Sequence, residues 1–142
     1  VNGTCPAGCV GCVCASPDTP IATPLGARPI SELAVGDLVY SVDHEALVAV
    51  PILRVQRAPV HAHQVVRVVL AGGAVLEISA RHPTADGRTF GDLRRGDTLD
   101  RAEVLSAELV PYGHPFTYDI LPGSETHTYV AGGALIGTTM AP

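Results

Sequence analysis

The chain has 142 residues, a net charge of −5, and 46% hydrophobic but only 4% aromatic residues, with no tryptophan. That length suits one domain with a sizeable core. All nine basic side chains are arginines, scattered except for the Arg94-Arg95 pair, so the clustered basic face of a nucleic-acid binder is missing and no nucleic-acid partner is expected. No stretch is long and apolar enough for a membrane-spanning helix, and no membrane partner is expected. No charged segment followed by an apolar one opens the chain. It starts at Val1 without a methionine, which reads as a piece cut from a longer protein, expected to be monomeric.

The apolar mass is Val, Leu, Ala and Ile in short runs such as Val65-Val66-Arg67-Val68-Val69-Leu70, punctuated by 15 glycines and 12 prolines. Such runs predict an all-β domain of many short strands. In chain order, residues 1–13 form an irregular arm. Ile21–Thr23 is a strand, Pro24-Leu25-Gly26 a turn, and Ser31–Leu33 a helical turn. Leu38–Ser41 is a strand, Asp43-His44-Glu45 a loop, and Ala49–Gln56 and Gln64–Leu70 are long strands. Ala71-Gly72-Gly73 is a hairpin turn from which Ala74–Ser79 returns. Gly91–Leu93 is a second helical turn. Thr98–Ser106, Glu108–Pro111, Thr117–Leu121, Thr128–Val130 and Ala134–Ile136 complete the sheet.

An internal echo links two of these regions. ARPISELAVGDLVY at residues 27–40 aligns at one offset with GRTFGDLRRGDTLD at 87–100. Arg28, Leu33, Gly36 and Asp37 meet Arg88, Leu93, Gly96 and Asp97, while Ile30 meets Phe90 and Glu32 meets Asp92. Two copies predict two pseudo-symmetric β units. The matched Asp37 and Asp97 are expected to accept local backbone N–H bonds at their turns.

The four cysteines, Cys5, Cys9, Cys12 and Cys14, crowd the first tenth of the chain. Disulfides therefore do not staple the core. Cys5, Cys9 and Cys12 lack the paired spacing and the second half of a zinc site, so no metal and no cofactor is expected, and they read as the tail of an upstream Cys-rich module. Such clustering points to a secreted setting without fixing the compartment. Cys14 stands apart because of its place at the head of the β-rich sequence. A thiol just after a peptide bond can attack the preceding carbonyl through a five-membered ring. An amide is more stable than a thioester, so that shift needs a thiolate, a proton for the departing nitrogen and help from a His and a carboxylate elsewhere in the fold.

Three separated segments carry a resemblance. The Cys14 segment, with Thr19, Gly26, Glu32, Leu33, Gly36 and Asp37 in step, resembles the first motif of Hint (hedgehog/intein) domains. GGAVLEISARHP, Gly72 to Pro83, is similar to the second, with Ser79 and His82 in the places of its Thr-x-x-His. TYDILPGSETHTYVAGGALIGTT resembles the last, with Asp119 and His127 in its Tyr-Asp and His places. The resemblance covers residues 14–138 and implies an all-β, Hint-type horseshoe of two pseudo-symmetric β units spanning 14–142, behind a Cys-rich arm at 1–13. It implies Cys14 as nucleophile on the Val13–Cys14 bond, His82 polarising that amide and protonating its nitrogen, and Ser79 bonding the amide or orienting His82. It further implies Asp119 helping to deprotonate the thiol, and His127 assisting a second step or only supporting the site. The substrate would be the chain's own upstream polypeptide, the product a thioester resolved by water, a thiol or an amine.

The departures narrow this. Inteins end in His-Asn, where Asn cyclises; here Gly137 and Thr138 stand there, so N-terminal cleavage rather than splicing is expected. Hedgehog domains hold an Asp where this chain has Gln56, and an amide cannot activate a sterol. Two alternatives stay open: a degenerate Hint fold kept as a structural or interaction module, and a Cys-rich metal-binding arm on a β scaffold. His61 and His63 alternate without a third ligand nearby and read as solvated edge residues. His114 before Pro115 reads as a loop residue.

Overall fold

The β-branched runs form strands throughout the chain, and a computed structural model describes residues 14–140. Among these the strands are β1 (Pro20–Thr23), β2 (Gly26–Pro29), β3 (Leu38–Asp43), β4 (Ala46–Pro59), β5 (Gln64–Leu70), β6 (Val75–Ile78), β7 (Thr98–Leu99), β8 (Ala102–Pro111), β9 (Phe116–Pro122), β10 (Tyr129–Ala131) and β11 (Ala134–Ile136). They build three antiparallel sheets, ordered β11-β10-β1-β2, β3-β4-β9 and β6-β5-β8-β7. Single 3-10 turns lie at Ile30–Glu32 and Phe90–Asp92. The fold is all-β, as the sequence indicates. The arm at 1–13, with Cys5, Cys9, Cys12 and Val13, lies outside the described residues.

The sequence echo is a structural one. In both copies the 3-10 turn is closed by the leucine N–H on the apolar residue's carbonyl, Leu33 to Ile30 and Leu93 to Phe90, each at 3.2 Å. The Asp37 carboxylate then accepts the Ala34 N–H at 2.9 Å, and the Asp97 carboxylate accepts that of Arg94 at 2.8 Å. Gly36 and Gly96, at φ +94° and +92°, turn the chain where a Cβ would be strained. Their N–H groups bond the carbonyls of Ile52 and Val104, each at 2.9 Å. The two units are therefore β3-β4-β9 and β7-β8-β5, with β6 added to the second. The copies diverge where residue types do. Thr89 donates its backbone N–H to Asp92 at 2.9 Å; its counterpart Pro29 has no N–H to give.

Fully buried Ile21, Ile52, Leu70, Leu76, Ile78, Phe90, Leu93, Leu99, Ile120 and Ile136 fill the space between the units. Strand boundaries depart from the sequence reading at turns. Gly26, expected to close a turn, opens β2. The strand expected over Thr98–Ser106 breaks at Asp100, which takes φ +58° and accepts the Leu135 N–H at 3.0 Å. Beyond that break, β8 runs unbroken through Ser106 to Pro111.

The paired aspartates give the first prediction. Asp37→Ala and Asp97→Ala each remove a charged acceptor from a half-exposed turn and should each cost about 1 kcal/mol. Urea unfolding should show both midpoints falling by comparable amounts, whereas unchanged midpoints would refute the matched role of the two turns.

Candidate active site around Cys14

Residues 14–16 run as an extra strand between β6 and β9. Ala15 bridges to both Ile78 and Tyr118. It exchanges two backbone hydrogen bonds with Tyr118, at 2.7 and 2.8 Å, while Ser16 donates to Glu77 at 3.1 Å and Ser79 donates to the Cys14 carbonyl at 3.1 Å. Pinned on both sides, Cys14 is fully buried and packs on Ala58. The turn after it is closed by Thr19, whose hydroxyl donates to the Ser16 carbonyl at 2.8 Å. That is the local reason for a threonine five residues beyond the cysteine.

Ser79, at the end of β6, brings its hydroxyl to both polar groups of Cys14. Its Oγ receives the Cys14 N–H at 3.3 Å and donates to the Cys14 carbonyl at 3.1 Å. The next turn carries the histidine, because the His82 N–H bonds the Ser79 carbonyl at 3.0 Å. His82 is fully buried, edge-on to Phe90 and Tyr129, with Nε2 2.8 Å from the Gly137 carbonyl oxygen. A carbonyl only accepts, so Nε2 carries the hydrogen of this bond. Gly137 is packed tightly as well: a Cβ there would lie 3.1 Å from the Pro83 side chain and 3.2 Å from the Thr84 carbonyl.

Asp119 lies on β9, one residue beyond Tyr118, and is 1% exposed. Its carboxylate accepts from the Tyr129 hydroxyl at 2.7 Å, the Ile120 N–H at 2.9 Å, the Thr139 N–H at 2.8 Å, the Thr138 hydroxyl at 3.2 Å and the Thr139 hydroxyl. These donors compensate a buried charge and tie Thr138 and Thr139 to β9. Burial pushes the Tyr129 phenol well above its usual range, aided by the Asp119 charge and hydrogen bond and by nearby Cys14. Gln56 sits opposite Asp119 in the β4–β9 register.

His127 stands apart from this group. It takes φ +56°, donates its N–H to the Ser124 hydroxyl at 3.0 Å and sets Nδ1 3.0 Å from the Pro122 carbonyl oxygen, so its hydrogen bonds stay in the β9–β10 loop.

Two residues join the site without having been marked in the sequence. His63, read there as a solvated edge residue, is half-buried. Its Nε2 lies 2.8 Å from Ser79 Oγ, and desolvation lowers its pKa. Thr117 is two residues before Asp119 on β9, hence on the same face, and opposite Ala58. Its Oγ1 is the one buried side-chain polar atom without a partner among the described residues. The period of two from Asp119 was the signal that could have marked it. By contrast His61 is exposed, as expected. His114 is also exposed and tilts against the Tyr112 ring. The acidic and imidazole groups of Asp43, His44 and Glu125 converge at the surface, but the two carboxylates already serve as a loop clasp. Asp43 accepts the Glu125 N–H and Glu125 accepts the His44 N–H, each at 2.9 Å.

No protein-family profile and no curated protein sequence matches the chain. Solved structures do. The Ssp DnaB mini-intein variant M86 superposes with a TM-score of 0.74 at 14% identity, over 92% of this chain and 97% of its own. The MchDnaB-1 intein gives 0.70 at 22% identity, over 87% and 98%. The bacterial intein-like domain from Clostridium thermocellum gives 0.70 at 23% identity, over 88% and 96%. The chain has the Hint fold of the inteins, over most of its length.

The Asp119 cluster yields a prediction. Asp119→Ala orphans the buried Tyr129 hydroxyl and releases Thr138 and Thr139, at a cost of about 2–4 kcal/mol. Amide exchange at Thr139 should then accelerate far more than exchange in β5. Equal protection of Thr139 in both proteins would show that Asp119 does not hold the C-terminal segment.

Proposed function

We propose that this is an autoprocessing domain in which Cys14 converts the Val13–Cys14 peptide bond into a thioester by an N-to-S acyl shift. The observation that carries the reading is the clamp on Cys14. A fully buried cysteine has its N–H and its carbonyl both on the Ser79 hydroxyl, with His82 on the adjoining turn. The intein-type fold supports self-processing, and the residues here supply its parts.

In the reaction the Cys14 sulfur bonds the Val13 carbonyl carbon, the carbon–nitrogen bond breaks, and the nitrogen gains a proton as the thiol loses one. His82, held through Nε2 by Gly137 on the turn beside Ser79, polarises that amide and takes part in the proton exchange. Asp119 orients Tyr129 and the C-terminal segment beside Cys14, and Thr117 offers a buried hydroxyl for charge that develops on the same face. The β-branched Val13 crowds the attacked carbonyl and slows the step. The upstream chain is the substrate, in cis, and water, a thiol or an amine resolves the thioester. Processing stops at N-terminal cleavage: Thr138 has no side-chain amide to cyclise, and Gly137, packed against Pro83 and Thr84, leaves little room for a histidine.

Intact mass after incubation with dithiothreitol at neutral pH tests this. A chain extended beyond Pro142 should shed residues 1–13 and keep its extension, and Cys14→Ala should stay whole. Ser79→Ala should cut about 5- to 150-fold more slowly, the loss of about 1–3 kcal/mol at the transition state. Cleavage of Cys14→Ala at the same bond would refute the nucleophile, and loss of the C-terminal extension would refute the restriction to the upstream side.

A further inference from the structure

Building on the autoprocessing reading, we propose that His63 is a positioning and proton-relay residue for the bond at Cys14, acting through the Ser79 hydroxyl. A serine hydroxyl has one hydrogen to give and two lone pairs. Three contacts of Ser79 Oγ bear on this: the Cys14 N–H at 3.3 Å, the Cys14 carbonyl at 3.1 Å and His63 Nε2 at 2.8 Å. The N–H can only donate and the carbonyl can only accept, so the hydroxyl hydrogen goes to the carbonyl. All three contacts then hold only if His63 Nε2 carries a hydrogen and donates it. His63 thus fixes the rotor of the hydroxyl that grips Cys14.

The fold holds the imidazole for this task. His63 precedes β5, and its carbonyl accepts the Tyr112 N–H at 2.9 Å from the end of β8. The Tyr112 ring stands edge-on to the imidazole at 5.7 Å, and its hydroxyl is anchored on the Phe116 carbonyl at 2.6 Å. Burial disfavours the imidazolium, so the ring is neutral near pH 7. Its Nδ1 has no hydrogen-bond partner among the described residues and is not sealed from water, so it meets solvent.

The neutral Nε2–H form makes a path from solvent to the departing nitrogen. As the sulfur–carbon bond forms and the carbon–nitrogen bond breaks, the Ser79 hydroxyl turns and gives its hydrogen to the Cys14 nitrogen. His63 Nε2 gives its hydrogen to Ser79 Oγ, and Nδ1 takes one from water. The thiol proton passes to the His82 imidazole and from there to solvent, so protons balance, and the His63 imidazole returns to its starting tautomer by exchange. This path reaches the nitrogen through Ser79 and works beside His82, whose Nε2 is held by Gly137.

The test uses the full chain and dithiothreitol-induced cleavage, read by intact mass. His63→Gln keeps an N–H donor for Ser79 but cannot relay a proton; His63→Ala keeps neither. Both should cut about 100-fold more slowly than the parent, the lower end of a single acid–base contribution. Added imidazole should restore His63→Ala in part, without a matching gain in the parent chain or in the Ser79→Ala/His63→Ala double variant. Parental rates in both single variants would overturn the proposal, and a parental rate in His63→Gln alone would overturn the relay. Equal acceleration of every protein by imidazole would also overturn it, marking imidazole as an external nucleophile. A parent chain inert to thiol is a separate result, in which the autoprocessing reading itself fails.

Discussion

The molecule depends on one insertion, that of residues 14–16 between β6 and β9. Ala15 has no side chain beyond its Cβ and is fully buried, which lets it bridge two strands at once. Its two bonds to Tyr118 and the neighbouring bonds to Glu77 and Ser79 fix residues 14–16 as backbone of the core. Everything proposed for Cys14 rests on that fixing. A peptide group held out of water feels nearby hydroxyls and imidazoles far more strongly than one in solvent. The amide must leave a stable state to become a thioester, and a preorganised, dry environment is what favours the shift.

The same site is closed from its other end. His82 bonds the Gly137 carbonyl, and Asp119 gathers Thr138 and Thr139 onto β9. Tyr129 lies between, edge-on to His82 and bonded to Asp119. Residues near Cys14 and near Thr139 are thus both tied into the buried β6–β9 region. Asp119 therefore has a structural task of its own, beyond the thiol deprotonation that the resemblance implies. The polar groups are nearly all satisfied, and Thr117 Oγ1 is the exception among the described residues. A buried hydroxyl without a partner costs stability, and this one stands opposite Ala58, against which Cys14 packs.

Much of the fold was legible in the sequence, and the reasons are specific. The repeat was readable because each copy needs the same turn chemistry: a glycine at positive φ, and an aspartate returning to the backbone three residues before it. β5 was readable to the residue because its valines sit between clear breaks. Ser79 and His82 stood out through the resemblance of GGAVLEISARHP to the second Hint motif, and in the fold one turn joins them. His63 did not, because its partner lies 16 residues on and only the pairing of β5 with β6 brings them together. The alternation His61, His63 suggested an edge, yet Tyr112, just past the end of β8, stands edge-on to the second of them. The break at Asp100 was hidden for a similar reason, since the bond that rewards its left-handed backbone comes from Leu135.

The proposed chemistry stands on an activated acyl group at Val13, and hydroxylamine trapping reads that group directly. Tandem mass spectrometry of the released arm should show a hydroxamate on the Val13 carbonyl, with the complementary fragment beginning at an unmodified Cys14. A plain carboxylate at Val13 with no hydroxamate at any hydroxylamine concentration, or a break at another bond, would contradict the thioester at Cys14.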